Sequence, residues 1–279
     1  MLKRRSNSIV VNCRSSLSKD QKQSGFTLME LTVVLVIVAL LLGGLLMPLS
    51  AQRDGEAIRG TEKYLVDIRD ALLGFALANG RLPCPASSSS LGRESFCTSA
   101  SGACVATTPD ITPAVLAHGV CSNPYDGFVP GVTLGLSTID DQGYALDGWL
   151  AGTSSRIHYA VTTANSSAFT QTAGMRTTTI TTLIPDLKVC NAGANVTTPT
   201  CAANTFLASD AVAVIYSLGK NGATGGTSTD ESQNPNPNTG VAADPVFVKA
   251  TPSADFDDLI IWLSKNTLYN RMIAAGQLP

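Results

Sequence analysis

Charge is scarce in this 279-residue chain: Asp, Glu, Lys and Arg make up 14% of it, and its two histidines, His118 and His158, stand forty residues apart. No Walker-type phosphate loop, HExxH or GxSxG occurs, so nucleotide hydrolysis, zinc proteolysis and nucleophile-elbow chemistry lack their residues. Ser217-x-x-Lys220 spells SxxK, but no KTG follows, and the serine runs into a glycine turn rather than opening a helix. Chance accounts for it, and the chain is expected not to be an enzyme. His118 and His158 are expected to be satisfied polar residues. There is no CxxC, which leaves a zinc site only those two imidazoles to draw on. No repeat of 20–50 residues is visible, which argues against a solenoid. No basic stripe follows Ala51, so phosphate neutralisation, and with it a nucleic-acid partner, has no support.

What is present is unevenly spread. Residues 1–25 carry Lys3, Arg4, Arg5, Arg14, Lys19 and Lys22 against Asp20, a net +5, while the remainder has 13 Lys plus Arg and 20 Asp plus Glu. Cys13 falls in the basic segment. The other six cysteines, Cys84, Cys97, Cys104, Cys121, Cys190 and Cys201, form an even set, as expected of disulfides in an oxidising compartment. Six cysteines allow 15 pairings, among which sequence alone does not choose. Short loops make Cys97–Cys104 and Cys190–Cys201 the natural local pairs, with Cys84–Cys121 left around the first.

From Leu31 to Met47 no charged residue occurs, and Thr32 is the only polar side chain. Counted from Phe26, the run reaches about the 20 residues that a bilayer-spanning helix needs. Glu30 stands at its mouth, five residues after Gly25. A carboxylate beside hydrocarbon is costly without a partner. A cut between Gly25 and Phe26 would create an α-amine one helical turn from Glu30. The basic segment should stay cytoplasmic, and an ordinary secretory signal would be cleaved after its apolar stretch rather than before it.

This arrangement, Gly25-Phe26-Thr27-Leu28-Met29-Glu30 ahead of an apolar run, resembles the leader and processing site of type IV pilins and of the pseudopilins of type II secretion systems. The resemblance implies cleavage after Gly25 and N-methylation of Phe26 by a prepilin peptidase. It implies assembly through Glu30 with other pilin or pseudopilin subunits at an inner-membrane assembly platform, membrane lipid being the partner before assembly. Gly43, Gly44 and Pro48 are residues at which such a helix can loosen on packing.

Past Pro48, Ile58, Leu65, Ile68, Leu72 and Phe75 recur at spacings of three, four and seven, with charged residues between them. This predicts an amphipathic helix ending near Asn79-Gly80. Residues 86–125 read as a disulfide-pinned insertion, mostly loop. Strands are predicted at Arg156–Thr163, Thr177–Leu183, Ala211–Leu218 and Pro245–Ala250. The tail over Asp255–Ser264 reads as either strand or helix, Ile260, Ile261 and Trp262 favouring a buried last strand, and Ser264 is expected to cap a helix over Lys265–Ala274. Gly135–Trp149, Ser217–Gly222 and Phe256–Leu263 look similar to head segments of minor pilin-like proteins.

The expected fold is therefore α+β and pilin-like, with a long N-terminal helix packed on an antiparallel sheet and disulfide-pinned loops. The expected organisation is a leader over 1–25, a transmembrane or filament-core helix over 26–50, its amphipathic continuation over 51–80, and a periplasmic head over 81–279. The expected function is that of a structural subunit of a type IV pilus or secretion pseudopilus. It would be held single-pass in a bacterial inner membrane and then assembled at the cell surface. Its size points to a minor subunit. The alternative is a membrane-anchored binding or adhesion module that does not polymerise. A loop over 220–234, rich in oxygen donors and glycine, suits calcium, with Asp230 and Glu231 as candidate ligands. A similarly placed loop binds calcium in major pseudopilins.

Overall fold

The computed structural model describes residues 25–101, 104, 107–108, 111–150, 152–224, 226, 228–235, 244–253 and 255–278, without the side chains of 44–51 and 107–108. Residues 1–24 of the basic leader, Cys13 among them, and two positions of the candidate calcium loop, Gly225 and Thr227, lie outside the described residues. Contacts divide the chain into two units, 1–50 and 51–279.

One helix, α1, spans Leu28–Asn79. In the first unit every described side chain from Gly25 to Gly43 is exposed, apolar ones included. Among the described residues no helix is long and apolar enough to cross a membrane. The far end of the expected membrane segment, 44–51, falls beyond the described side chains.

In the second unit α1 is amphipathic. Leu65, Ile68, Leu72 and Ala76 are fully buried, at the three- and four-residue spacing that places side chains on one helix face. The helix stops where expected: Gly80 takes a positive φ of 68° and donates its N–H to the Ala76 carbonyl at 2.8 Å, satisfying an otherwise orphaned acceptor.

Among the described residues the sheet has six strands: β1 (Gly127–Phe128), β2 (His158–Val161), β3 (Leu187–Cys190), β4 (Phe206–Ser217), β5 (Val246–Val248) and β6 (Leu259–Ser264). β4 is its centre. Ala211 pairs with Ser264 on one edge and with Leu187 on the other, so β6 lines one side of β4. β2 and β3 follow each other along the opposite side. β1 extends the sheet beyond β2 and β5 extends it beyond β3.

The sheet departs from the expected antiparallel arrangement at one place. β3 and β5 pair in parallel, Val189 opposite Phe247, because the chain crosses back through antiparallel β4 before it returns. Alternation along the strands separates two faces. Tyr159, Val161, Ala213 and Ile215 join the core that includes Leu65, Ile68 and Leu72, while Ala160, Val214, Tyr216 and Phe247 form a second cluster.

Thr177–Leu183 is not a strand; a helical turn covers Gly174–Thr177 and turns follow. The threonine hydroxyls explain the difference. Thr177 Oγ1 donates to Ala173 O at 3.0 Å, Thr178 Oγ1 to Gly174 O at 2.9 Å and Thr182 Oγ1 to Thr179 O at 2.9 Å. Such local bonds compete with a strand ladder. A second helix, α2 (Lys265–Ala274), has the expected bounds, and Ser264 Oγ accepts from Thr267 N at 3.2 Å.

The cysteines pair as Cys84–Cys121, Cys97–Cys104 and Cys190–Cys201. The insertion of residues 86–125 holds a short ribbon, Phe96–Cys97 with Thr107–Thr108, and a helix over Pro113–His118. A buried ion pair ties the insertion to the chain just past α1: Arg81 Nη1 and Nη2 each donate to a different Glu94 oxygen at 2.8 Å.

Candidate functional site

At the N-terminal motif, Thr27 precedes the first residue of α1 and Glu30 is its third. Thr27 N donates to Glu30 Oε2 at 2.8 Å, Thr27 Oγ1 donates to the same oxygen at 3.0 Å, and Glu30 N donates to Thr27 Oγ1 at 3.2 Å. This is a capping box, in which each residue's side chain accepts from the other's otherwise orphaned backbone N–H at the helix start. Glu30 thus has local partners inside the uncut chain, which the expectation of an unpartnered carboxylate missed. The signal was present as Thr27-x-x-Glu30. Only Oε2 is engaged in these bonds. Phe26 is 86% exposed.

In the second unit, Glu231, Asp257 and Asp258 bring their carboxylate oxygens within 4.8 Å of one another. Glu231 and Asp258 are only 2% and 5% exposed. Asn221 Nδ2 donates to both oxygens of Glu231, at 3.2 and 3.1 Å, and Asp257 N donates to Oε1 at 2.9 Å. Lys220 N donates to Asp257 Oδ2 at 2.9 Å, while Asp257 Oδ1 is buried without a hydrogen bond. Asp258 Oδ2 accepts from Asn234 Nδ2 at 2.6 Å, and Asn234 Oδ1 accepts from Val248 N at 2.8 Å, which anchors the cluster to β5.

Burial pushes Asp258 up to about 8, with the charges of Glu231 and Asp257 adding to it. Asp257 rises to about 6, first through burial and then through Glu231. Three carboxylates in a partly dehydrated site repel one another, and protons or a cation relieve that repulsion.

Asp230, expected beside Glu231 as a ligand, is not among the three clustered acids. Its Oδ1 accepts from Gly193 N at 2.6 Å. The loop's other acids come from the start of β6, 26 residues downstream of Glu231. Their signal was the Asp257-Asp258 pair abutting an apolar run.

The remaining candidates make other contacts. Ser217 Oγ donates to Asp147 Oδ2 at 2.7 Å, and Lys220 Nζ lies 2.8 Å from Asp54, so the SxxK residues serve separate contacts. The histidines are less satisfied than expected. His118 Nδ1 accepts from Val120 N at 3.0 Å, but its Nε2 and the Nδ1 of His158 are buried without hydrogen bonds.

Comparison with known proteins adds one match. A family model described as the prokaryotic N-terminal methylation motif covers residues 20–46, so the chain carries the signature of type IV pilins and pseudopilins. No curated protein and no solved structure matches the chain.

Proposed function

We propose that this protein is a subunit of a type IV pilus or secretion pseudopilus, cleaved between Gly25 and Phe26 by a prepilin peptidase and assembled through α1. The observation that carries this reading is the methylation motif over residues 20–46, a stretch that includes Gly25, Phe26 and Glu30. The α+β head, with its N-terminal helix, sheet and disulfides, is consistent with it. Residues 26–50 form the membrane and filament-core helix, and 51–80 continue it along the head of residues 81–279. Exposed apolar side chains over Leu28–Leu42 call for lipid first and for neighbouring helices after assembly. Glu30 Oε1, outside the capping box, receives the methylated amine of a neighbour's Phe26 and sets the axial register. The size of the chain favours a minor subunit.

Co-expression with a prepilin peptidase tests the processing. Mass spectrometry of the full chain should find a mature form beginning at N-methylated Phe26, and Gly25→Val should leave the precursor intact. A mature Gly25→Val chain would contradict the assignment.

A second reading has one observation in its favour. The capping box gives Glu30 a use even in a plain anchor, as a non-polymerising surface module would have. Cysteine cross-linking along α1 in cells separates the two, since only a filament subunit gives helix-to-helix products.

The calcium expectation carries over in altered form, to Glu231 with Asp257 and Asp258. Hard oxygen donors of this kind fit Ca²⁺ chemistry. Addition of Ca²⁺ to the full chain should then raise its melting temperature, and Asp258→Asn should abolish the rise.

A further inference from the structure

Leu150 is held out to solvent in an unfavourable backbone conformation. It is 67% exposed and has a φ of 52°, in the left-handed region where a side chain crowds its own backbone. The turn that presents it is pinned from inside the head. Asp147, 2% exposed, accepts from Trp149 N at 3.1 Å, from Leu150 N, and from Ser217 Oγ at the end of β4 at 2.7 Å. A buried carboxylate and a strained backbone that together display an apolar side chain point to a surface that takes it up.

The same turn lies against α1 close to where the second unit begins. Gly148 N donates to Thr61 Oγ1 at 2.8 Å, and a Cβ on Gly148 would stand 2.6 Å from Ala57 O, so a side chain there would push the turn off the helix. Trp149 is half-buried against the core and, with Gly148, Arg53, Asp54, Glu56 and Ala57, lines an open cavity of about 430 Å³. Ala57 comes seven residues after residue 50, where the proposed membrane segment ends. Seven helical residues rise about 10 Å, close to the depth of a lipid headgroup layer, about 5–8 Å on each side of the hydrocarbon.

The chemistry of this surface fits lipid. A tryptophan beside an exposed leucine is the pairing of a membrane interface, where an indole sits at headgroup level. Arg53 and Glu56 are exposed and have no ion pair among the described residues, whereas Asp54 is bound to Lys220 at 2.8 Å. A free cation beside a free acid matches the phosphate and the ammonium of a zwitterionic headgroup.

We propose that Trp149 and Leu150 form a membrane-interface anchor on the head before assembly. Leu150 enters the bilayer surface, and Arg53 and Glu56 meet the headgroups of zwitterionic phospholipid. The anchor rests on the reading of residues 26–50 as a membrane segment.

Trp149 and Trp262 are the two tryptophans of the chain, so fluorescence tests the anchor. The full chain is reconstituted in vesicles of phosphatidylethanolamine and phosphatidylcholine, with and without acyl chains brominated near the headgroup. An alkaline carbonate wash first separates chain held in the bilayer from chain that is not. Loss in the wash would overturn the membrane segment and the anchor together. In retained chain, brominated lipid should quench the parent's emission, Trp149→Phe should abolish the quenching, and Leu150→Asp, at an exposed position, should at least halve it without moving the melting temperature. An unquenched parent that survives the wash would overturn the anchor and leave the membrane segment standing. Quenching undiminished in Leu150→Asp would overturn it too, and this variant carries the test if Trp149→Phe does not fold. Protection of Trp149 from both brominated lipid and aqueous iodide would assign the surface to a second copy of the chain and likewise overturn the proposal.

Discussion

Asp258 and Asp257 carry folded-state proton affinities near 8 and 6 in place of the ordinary carboxylate value near 4. The sign of the linkage follows. Raised values mean that the folded state binds more protons than the unfolded chain. Stability from these groups is full below about pH 4 and is lost as pH rises through 6 and then 8, at up to about 1.4 kcal/mol per pH unit for each proton. Chemical denaturation at pH 5 and pH 8 should give a lower midpoint at pH 8, and Asp258→Asn should remove most of the difference. An unchanged midpoint in the parent chain would refute the burial argument. Arg81 and Glu94 present the opposite case, a buried pair whose charges satisfy each other, the side chains being 6% and 0% exposed. Removing one partner strands the other, so Arg81→Met or Glu94→Ala should each destabilise by about 3–5 kcal/mol. Denaturant titration checks this; because the two residues share one interaction, the double variant should lose less than the sum of the single losses. At this scale the sequence was legible for the methylation motif, whose residues are local neighbours. It was silent on the pairing of Glu94 with Arg81, 13 residues away, and did not link the Asp257-Asp258 pair to Glu231, 26 residues before Asp257.

Among elements, those specified by local spacing were readable. The buried stripe of α1 shows in its apolar period, and α2 shows in Ser264 and Gly276, which cap and follow it. Elements fixed by distant pairing were not. β3 is four residues long, and its parallel match to β5 depends on strands met much later. The first half of β4, Phe206–Asp210, is largely exposed and lacks the apolar signal of Ala211–Ser217. Thr177–Leu183 failed for a further reason: β propensity reflects fit to a pleated surface, and hydroxyls with nearby carbonyls found local turns instead. The stripe itself makes a prediction. Ile68→Ala, at a fully buried position, should cost about 2–5 kcal/mol. Val66→Ala, two residues away and 37% exposed, should stay within about 0.5 kcal/mol. Equal losses would mean that α1 does not pack by this face. The disulfide Cys84–Cys121 acts on the same scale. It closes a separation of 37 residues, so its removal by Cys84→Ala/Cys121→Ala should cost about 2–5 kcal/mol, read as a lowered denaturation midpoint.

For the whole molecule, the two units answer different questions. The first unit carries the methylation motif and an exposed apolar helix whose capping box engages one oxygen of Glu30. The second unit holds the sheet, the disulfides and the acidic cluster. The claim joining them is that Glu30 seats each incoming subunit against the amine of its neighbour, because a carboxylate stranded among packed apolar helices is penalised. The most direct measurement is the fraction of mature chain recovered in sheared surface filaments, relative to mature chain held in the membrane, for the parent protein and for Glu30→Ala. The account predicts that both are cleaved after Gly25, and that the filament fraction of Glu30→Ala falls at least tenfold. Equal filament fractions for the two would contradict it.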